Sequence, residues 1–167
     1  MNKIILVVII VIIVLVVIFL LQNKSVFAPA NNPSGNGTAI SGSKILDLSG
    51  QGLKSIPSYV FTMANLEELN ISHNSLTGAI PAEIRNLKNL KILNASYNQM
   101  TGVPAEIGQL QNLGSLDLSY NKLTGLPHEL GNLQKLMILN LTGNNYSQQD
   151  FDYIHSKLPI NTIIIAK

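Results

Sequence analysis

The chain has 167 residues, enough for one domain with a hydrophobic core. Charged residues make up only 12% and Cys is absent, which excludes a disulfide framework, a thiolate metal site and a catalytic thiol. Of the 11 Lys and Arg residues, only Lys3 and Lys24 precede residue 43, so nine basic residues then balance nine acidic ones. This balance argues against nucleic acid as a partner.

The first element in chain order is an uninterrupted apolar run. Residues 4–21 read IILVVIIVIIVLVVIFLL. As a helix with a rise of about 1.5 Å per residue, the run spans about 27 Å, close to a hydrocarbon core of about 30 Å. In lipid the backbone must satisfy its own hydrogen bonds, so even a run rich in Val and Ile becomes helical. We therefore predict a transmembrane helix over residues 4–21, with residues 1–3 as a short cytoplasmic tail.

The residues that flank this run bear on its orientation in the membrane and on whether it is cleaved. Lys3 and the α-amino group outweigh Lys24, which favours the C-terminal part outside the cell. The stretch from Val26 to Ala28 resembles a signal-peptidase site, but the run exceeds the usual 7 to 15 apolar residues and Pro29 follows the site. An uncleaved signal-anchor is the prediction, and cleavage near Ala28, which would give a secreted protein, stays open as the alternative.

Residues 22–42 read QNKSVFAPANNPSGNGTAISG and are rich in Asn, Ser, Gly, Pro and Ala. Such a segment has little to bury, so we predict a flexible linker.

The rest of the chain repeats itself. Residues 93–112 read LNASYNQMTGVPAEIGQLQN, and residues 116–135 read LDLSYNKLTGLPHELGNLQK. Aligned on their leucines, residues 43–145 form five units that start at Ser43, Leu66, Leu90, Leu113 and Leu136. A fixed period of this length indicates stacked units, each of which buries its leucines against its neighbours.

Each unit has the same order of signals. A short stretch alternates leucine with polar residues, as in a half-buried strand. An Asn follows, whose carboxamide can satisfy backbone groups in a sharp turn. A Gly then permits a bend and a Pro fixes an extended return path. The predicted structural ladder of carboxamides consists of Asn74, Asn98, Asn121 and Asn144.

The stretch from Asn74 to Pro81, NSLTGAIP, is where these signals are clearest. It resembles the leucine-rich repeat class best known from plant receptor ectodomains and also found in bacteria. The resemblance implies an α/β-type repeat solenoid, curved and right-handed, with a parallel β-sheet on its concave face. Gln51 in the place of Asn and Ala95 in the place of a core leucine depart from the pattern without breaking it.

Residues 146–167 are predicted to cap the C-terminal end of the solenoid. Ser147 to Asp150 resembles a capping box, and apolar residues follow at helical spacing, so we predict a helix over residues 148–158. Pro159 ends it, and residues 162–165 are predicted to form a final strand.

Candidate binding residues lie beside the strand leucines, in columns that run from unit to unit. The Asp/Asn column and the next column, Ser49, Ser72, Ser96, Ser119 and Thr142, are typical of this repeat class, and consensus alone accounts for much of them. Aromatic residues are enriched where proteins bind partners. The predicted ligand contacts on the concave face are His73, Tyr97, Tyr120, Asn70, Asn94, Asp117 and Asn140.

No constellation in the sequence indicates catalysis. His73, His128 and His155 fall on a strand edge, a convex turn and the C-terminal cap, so they cannot converge on a metal, and neither a phosphate loop nor a nucleophile motif occurs. We predict no enzyme activity, no metal and no cofactor. The prediction is a single-pass cell-membrane protein whose outward repeat domain recognises or scaffolds a protein, peptide or glycan. The alternatives are a secreted binding or inhibitor protein and a self-assembling structural protein of the cell envelope.

Overall fold

The structure is a computed structural model, and it describes residues 43–166. Within that range no helix is both long and apolar enough to cross a membrane. The predicted transmembrane helix, its tail and the linker, residues 1–42, lie outside the described residues.

Each of the five units contributes one short strand to a six-stranded parallel sheet, and the C-terminal cap contributes the sixth. The strands are β1 (Ile45–Asp47), β2 (Glu68–Asn70), β4 (Ile92–Asn94), β6 (Ser115–Asp117), β7 (Ile138–Asn140) and β8 (Ile163–Ile165). Their order is β1-β2-β4-β6-β7-β8, so each unit's strand pairs with that of the next unit and β7 pairs with the cap strand β8. The register brings equivalent residues side by side, as in Leu69 opposite Leu93. The structure therefore confirms the predicted solenoid-like stacking with a parallel sheet.

The core is a column of leucines behind this sheet. The central strand residues Leu69, Leu93 and Leu116 are almost fully buried, whereas their strand neighbours are half-buried or exposed. Burial of one such side chain contributes about 1.5 to 3 kcal/mol. Because each leucine packs on the leucines of adjacent units, this contribution depends on the stack.

The return path of each of the first four units is a 3₁₀ helix that begins directly after a proline. These helices are Ser58–Thr62, Ala82–Asn86, Ala105–Gln109 and His128–Asn132, and they follow Pro57, Pro81, Pro104 and Pro127. Ile84, Ile107 and Leu130 point inward from the last three of them. Two further strands, β3 (Thr77–Ala79) and β5 (Gln99–Gly102), form a separate parallel pair that the sequence pattern did not predict.

Buried carboxamides hold the turns that follow the strands. Asn98 donates from Nδ2 to the carbonyl oxygens of Ile71, Ala95 and Ser96, and its Oδ1 accepts from the backbone N–H of Leu76. It thus joins its own turn to the preceding unit. Equivalent bonds are made by Asn74, Asn121 and Asn144.

The C-terminal end is covered by one α-helix, α1 (Gln148–Lys157), and then by β8. Ser147 begins the helix, because its Oγ accepts a hydrogen bond from the N–H of Asp150 at 3.4 Å. Ile154 and Leu158 are buried against the core, and Phe151 packs on it. The cap shields the last repeat from water.

Candidate functional site

The candidate site lies on the side of the six-stranded sheet opposite the leucine core, which we call the sheet face. Residues that flank the buried leucines line it. The register places Asn70 beside Asn94, Asn94 beside Asp117, and Asp117 beside Asn140. All four are half-buried. The structure therefore brings these four predicted contact residues into one row.

The three aromatic candidates form a stack along one border of the sheet face. The rings of His73 and Tyr97 lie 4.5 Å apart at an interplanar angle of 9°, and those of Tyr97 and Tyr120 lie 4.5 Å apart at 18°. The two tyrosines are each 47% exposed, and His73 is exposed. We call these three residues the ring stack. Three units thus present one continuous aromatic edge to solvent.

An unusual backbone conformation aims these rings. His73, Tyr97 and Tyr120 have φ values of 54°, 54° and 52°, in the left-handed region that residues other than glycine rarely adopt. The equivalent positions of the first and last units are Gly50 and Gly143, with φ values of 67° and 71°. The stack therefore occupies a column in which the fold demands a positive φ, and strain of this kind is concentrated at functional sites.

Packing raises the pKa of the Tyr97 phenol above its usual value of 10. Desolvation of the hydroxyl is the main cause, and the neighbouring Tyr120 adds to it.

The row of amides in the middle of the sheet face has unused donors. Oδ1 of Asn70 accepts from the N–H and hydroxyl of Ser72, and Oδ1 of Asn94 accepts from those of Ser96. These bonds fix the amide orientation and turn each Nδ2 group away from the serine. Within residues 43–166 neither Nδ2 group has an acceptor at hydrogen-bond distance. Two adjacent units thus offer NH₂ groups to an external carbonyl.

In the fourth unit the central row carries an aspartate in place of an asparagine. Asp117 accepts from the N–H and hydroxyl of Ser119, while its other oxygen accepts from Nδ2 of Asn140 at 3.2 Å. Because that carboxylate already holds the Asn140 amide, the donors free for a ligand concentrate at Asn70 and Asn94.

The three central serines of the next column are buried, although their column was expected on the sheet face, while Ser49 and Thr142 at its ends are half-buried. Ser72, Ser96 and Ser119 are only 2% to 4% exposed. The chain begins its turn at these residues, so their hydroxyls point to the Asn or Asp two residues earlier. Their role is to orient the central row.

A carboxylate stands at the opposite border of the sheet face. Glu68 lies between Ile45 and Ile92 in the strand register. Desolvation raises the pKa of Glu68 above its usual value, and the neighbouring Glu67 adds to this effect. Glu68 was not among the predicted ligand contacts, although an acidic residue in a column otherwise occupied by Ile and Ser is a visible signal.

Residues 43–166 contain no candidate metal site. Among the described residues, no group of three or more His, Asp or Glu side chains is placed to hold a metal ion.

Comparisons with known proteins agree with this geometry. A family model for the leucine-rich repeat matches residues 44–100, and a model for two copies of the repeat matches residues 88–128. Together the matches span just over half of the chain. Residues 44–128 are leucine-rich repeats. The sequence comparison with curated proteins returned no match.

Solved structures of leucine-rich repeat domains are similar to this chain. A leucine-rich repeat protein of Leptospira interrogans is 39% identical over 66% of the chain, with a TM-score of 0.62. The ectodomain of the Arabidopsis thaliana receptor kinase GASSHO1/SCHENGEN3, in complex with CASPARIAN STRIP INTEGRITY FACTOR 2, is 40% identical over 68%, with a TM-score of 0.60. The plant peptide hormone receptor RGFR1, in complex with RGF2, is 33% identical over 67%, with a TM-score of 0.57.

The chain covers only part of these proteins. It spans 28% of the Leptospira protein, 14% of the GASSHO1/SCHENGEN3 ectodomain and 18% of RGFR1.

Proposed function

We propose that the repeat domain is a recognition module that binds a protein or peptide through its sheet face and catalyses no reaction. The observation that carries the proposal is the ring stack: three exposed aromatic side chains held parallel at 4.5 Å on adjacent units. Large aromatic side chains with few rotatable bonds are enriched at sites that dominate binding energy. The rings of the stack are already ordered by their contacts with one another. Binding a ligand therefore costs little further side-chain entropy.

The central row supports a peptide ligand in particular. An extended peptide has backbone carbonyls that need donors, and Nδ2 of Asn70 and of Asn94 supply them one unit apart. Strands in a sheet are about 4.8 Å apart, so two such donors can reach two acceptors of one ligand. The sheet face thus combines apolar contact at one border with hydrogen-bond donors in the middle.

The similar structures point in the same direction. RGFR1 is described as a peptide hormone receptor, and its structure contains RGF2. The GASSHO1/SCHENGEN3 ectodomain was solved with CASPARIAN STRIP INTEGRITY FACTOR 2. These statements concern those proteins, and they favour a protein or peptide over a glycan as the partner of the present chain.

The first test is selection of a ligand and location of its contacts. A phage library of random dodecapeptides is panned on the full chain in detergent, and an enriched peptide is resynthesised with a benzophenone amino acid at successive positions. We expect photo-crosslinks, mapped by mass spectrometry, in residues 70–73, 94–97 and 117–120. Crosslinks confined to the 3₁₀ helices on the return path would contradict binding at the sheet face.

We further propose that residues 4–21 anchor the module in the cell membrane with the repeats outside. The support is the length and apolarity of the run. Protease treatment of intact cells, followed by mass analysis of the membrane and the medium, tests it. Removal of the repeats from a membrane-bound protein is expected. Protected repeats would overturn the orientation, and a released protein that begins at Pro29 would favour the secreted alternative.

A further inference from the structure

Within residues 43–166, one end of the ring stack is closed by the last repeat and the other end is open. At the closed end, the ring of Tyr120 lies over Gly143: a Cβ added to Gly143 would come within 2.7 Å of Cδ1 of Tyr120. The backbone of the last repeat therefore covers that end of the stack.

The open end is next to His73. Gly50 is the equivalent residue of the first unit, and its N–H donates to the carbonyl of Ser72 just as the N–H of His73 donates to that of Ser96. Gly50 also shares the left-handed backbone conformation. A side chain at position 50 would thus leave the backbone in the same direction as the His73 ring, one unit earlier.

Within residues 43–166 the space in that direction is open near the backbone. Apart from the adjoining residues of the chain, none of these residues places a heavy atom within 4 Å of the point where a Cβ of Gly50 would stand, and the same is true of Gly52. Gln51, which lies between the two glycines, is exposed. The column therefore has a vacant position beside His73, in register with three occupied ones.

We propose that this vacancy is a binding position for an aromatic side chain of a peptide ligand, which stacks on the imidazole of His73 over Gly50. The inference rests on the proposed function, because it names the chemistry that the same surface selects. A planar ring fits because the protein itself fills the next positions with parallel rings 4.5 Å apart. Aromatic pairs at such spacing gain energy beyond that of buried area.

The residues around this position also explain why the stacking ring comes from a ligand and not from the protein itself. His73 is exposed, and the adjacent unit carries glycine where the later units carry Tyr97 and Tyr120. A ligand ring at this position lies on the same face as the free Nδ2 group of Asn70, with the serine column between them. A peptide can therefore place one aromatic residue on His73 while its neighbouring carbonyls reach the amide row.

The test uses two small probes and the full chain in detergent. N-acetyl-L-tryptophanamide supplies an aromatic ring, and N-acetyl-L-leucinamide is the aliphatic control. The protein is labelled with ¹³C-histidine, so that His73, His128 and His155 report separately by NMR. We expect upfield ring-current shifts of the His73 imidazole signals with the tryptophan probe and no such shifts with the leucine probe. Equal shifts at all three histidines, or none at His73, would overturn the proposal.

Two variants sharpen the test. In Gly50→Tyr the new ring occupies the vacancy from within, so the probe-induced shift of His73 should be lost. Gly50→Asn places a non-aromatic residue on the same backbone, and because Asn tolerates a positive φ it should keep the shift. Loss of the shift in both variants, or in neither, would contradict a specific ring position.

The same variants separate this inference from the proposed function. For a peptide selected on the full chain, Gly50→Tyr should weaken binding by at least about tenfold, and replacement of the peptide's aromatic residue by Ala should weaken it by a similar factor. A peptide that crosslinks to the sheet face but is indifferent to both changes would overturn the ring position alone. Failure to select any peptide, with the His73 shift intact, would count against the proposed function alone.

Discussion

The ring of Tyr120 rests on the Cα of Gly143, and this contact ends the ring stack. A Cβ at Gly143 would lie 2.7 Å from Cδ1 and 3.1 Å from Cε1 of Tyr120. The glycine therefore has two roles: it adopts the positive φ that its column requires, and it leaves room for the last ring.

Substitution at this glycine should destabilise the domain more than the same change at the other end of the column. Gly143→Ala combines a strained φ with overlap against Tyr120, and we expect a loss of about 2 to 4 kcal/mol in the free energy of unfolding. Gly50→Ala is the matched control, since it has a similar φ but open space, and it should cost about 1 to 2 kcal/mol. Urea denaturation followed by circular dichroism measures both, and equal losses would contradict the close contact.

The carboxamide of Asn98 should be among the most costly polar groups to remove. Asn98→Ala leaves the buried N–H of Leu76 without an acceptor, while the carbonyl of Ile71 keeps its bond from Nδ2 of Asn74, so we expect a loss of about 1 to 3 kcal/mol. Asn89→Ala removes one exposed bond to the carbonyl of Ala64 and should cost less than about 1 kcal/mol. The same urea titration compares the two, and a loss at Asn98 no greater than that at Asn89 would argue against the ladder as a stabilising element.

Glu67 joins three units through two lysines, which makes its contribution dependent on pH. Its carboxylate pairs with Nζ of Lys44 at 2.8 Å and with Nζ of Lys91. Hydrogen bonds from both lysines, that from Lys44 first, lower the pKa of Glu67 from 4.5 to about 2. Because the folded-state pKa lies below the unfolded one, the contribution is complete above about pH 4.5 and is lost as the pH falls through about 2.

We expect Glu67→Gln to lower the melting temperature slightly at pH 7, since exposed ion pairs contribute little, and not at all at about pH 1, below the folded-state pKa of Glu67. Salt at 1 M should reduce the difference at pH 7 by screening. Glu83→Gln is the control, because Glu83 is exposed and forms no ion pair among the described residues. A difference between Glu67→Gln and the unmodified chain that persists unchanged at about pH 1 would rule out the ionic origin.

Sequence alone predicted the fold well because the repeat forces it. Leucines that recur at a fixed period can be buried only when the units stack on one another. The alternation of apolar and polar residues around Leu69 or Leu116 indicates strands that pair with the next unit. The pair β3–β5 was missed because three or four residues around a glycine carry no periodicity. The 3₁₀ form of the return path was missed for a related reason, since a spacing of three between Ile84 and Leu87 fits several conformations.

The candidate site was less accessible to sequence reasoning. The residues of the ring stack were named as contacts, but their stacking depends on a positive φ that three ordinary residues share with Gly50 and Gly143. The sequence feature that could have indicated this backbone conformation is the glycine at each end of the aromatic column. The burial of Ser72 and Ser96 could not be predicted either, because the alternation of apolar and polar residues does not show where a strand ends and a turn begins.

The affinity of a selected peptide tests the central claim most directly. Tyr97→Ala/Tyr120→Ala removes two rings of the stack, and Tyr59→Ala/Tyr153→Ala removes two tyrosines of nearly equal exposure, 44% each, that lie outside the sheet face. Fluorescence polarisation on the full chain, with folding checked by circular dichroism, gives the dissociation constants. We predict that the first variant weakens binding by at least about tenfold and the second by less than about twofold. Equal affinities of the two variants would contradict recognition through the ring stack.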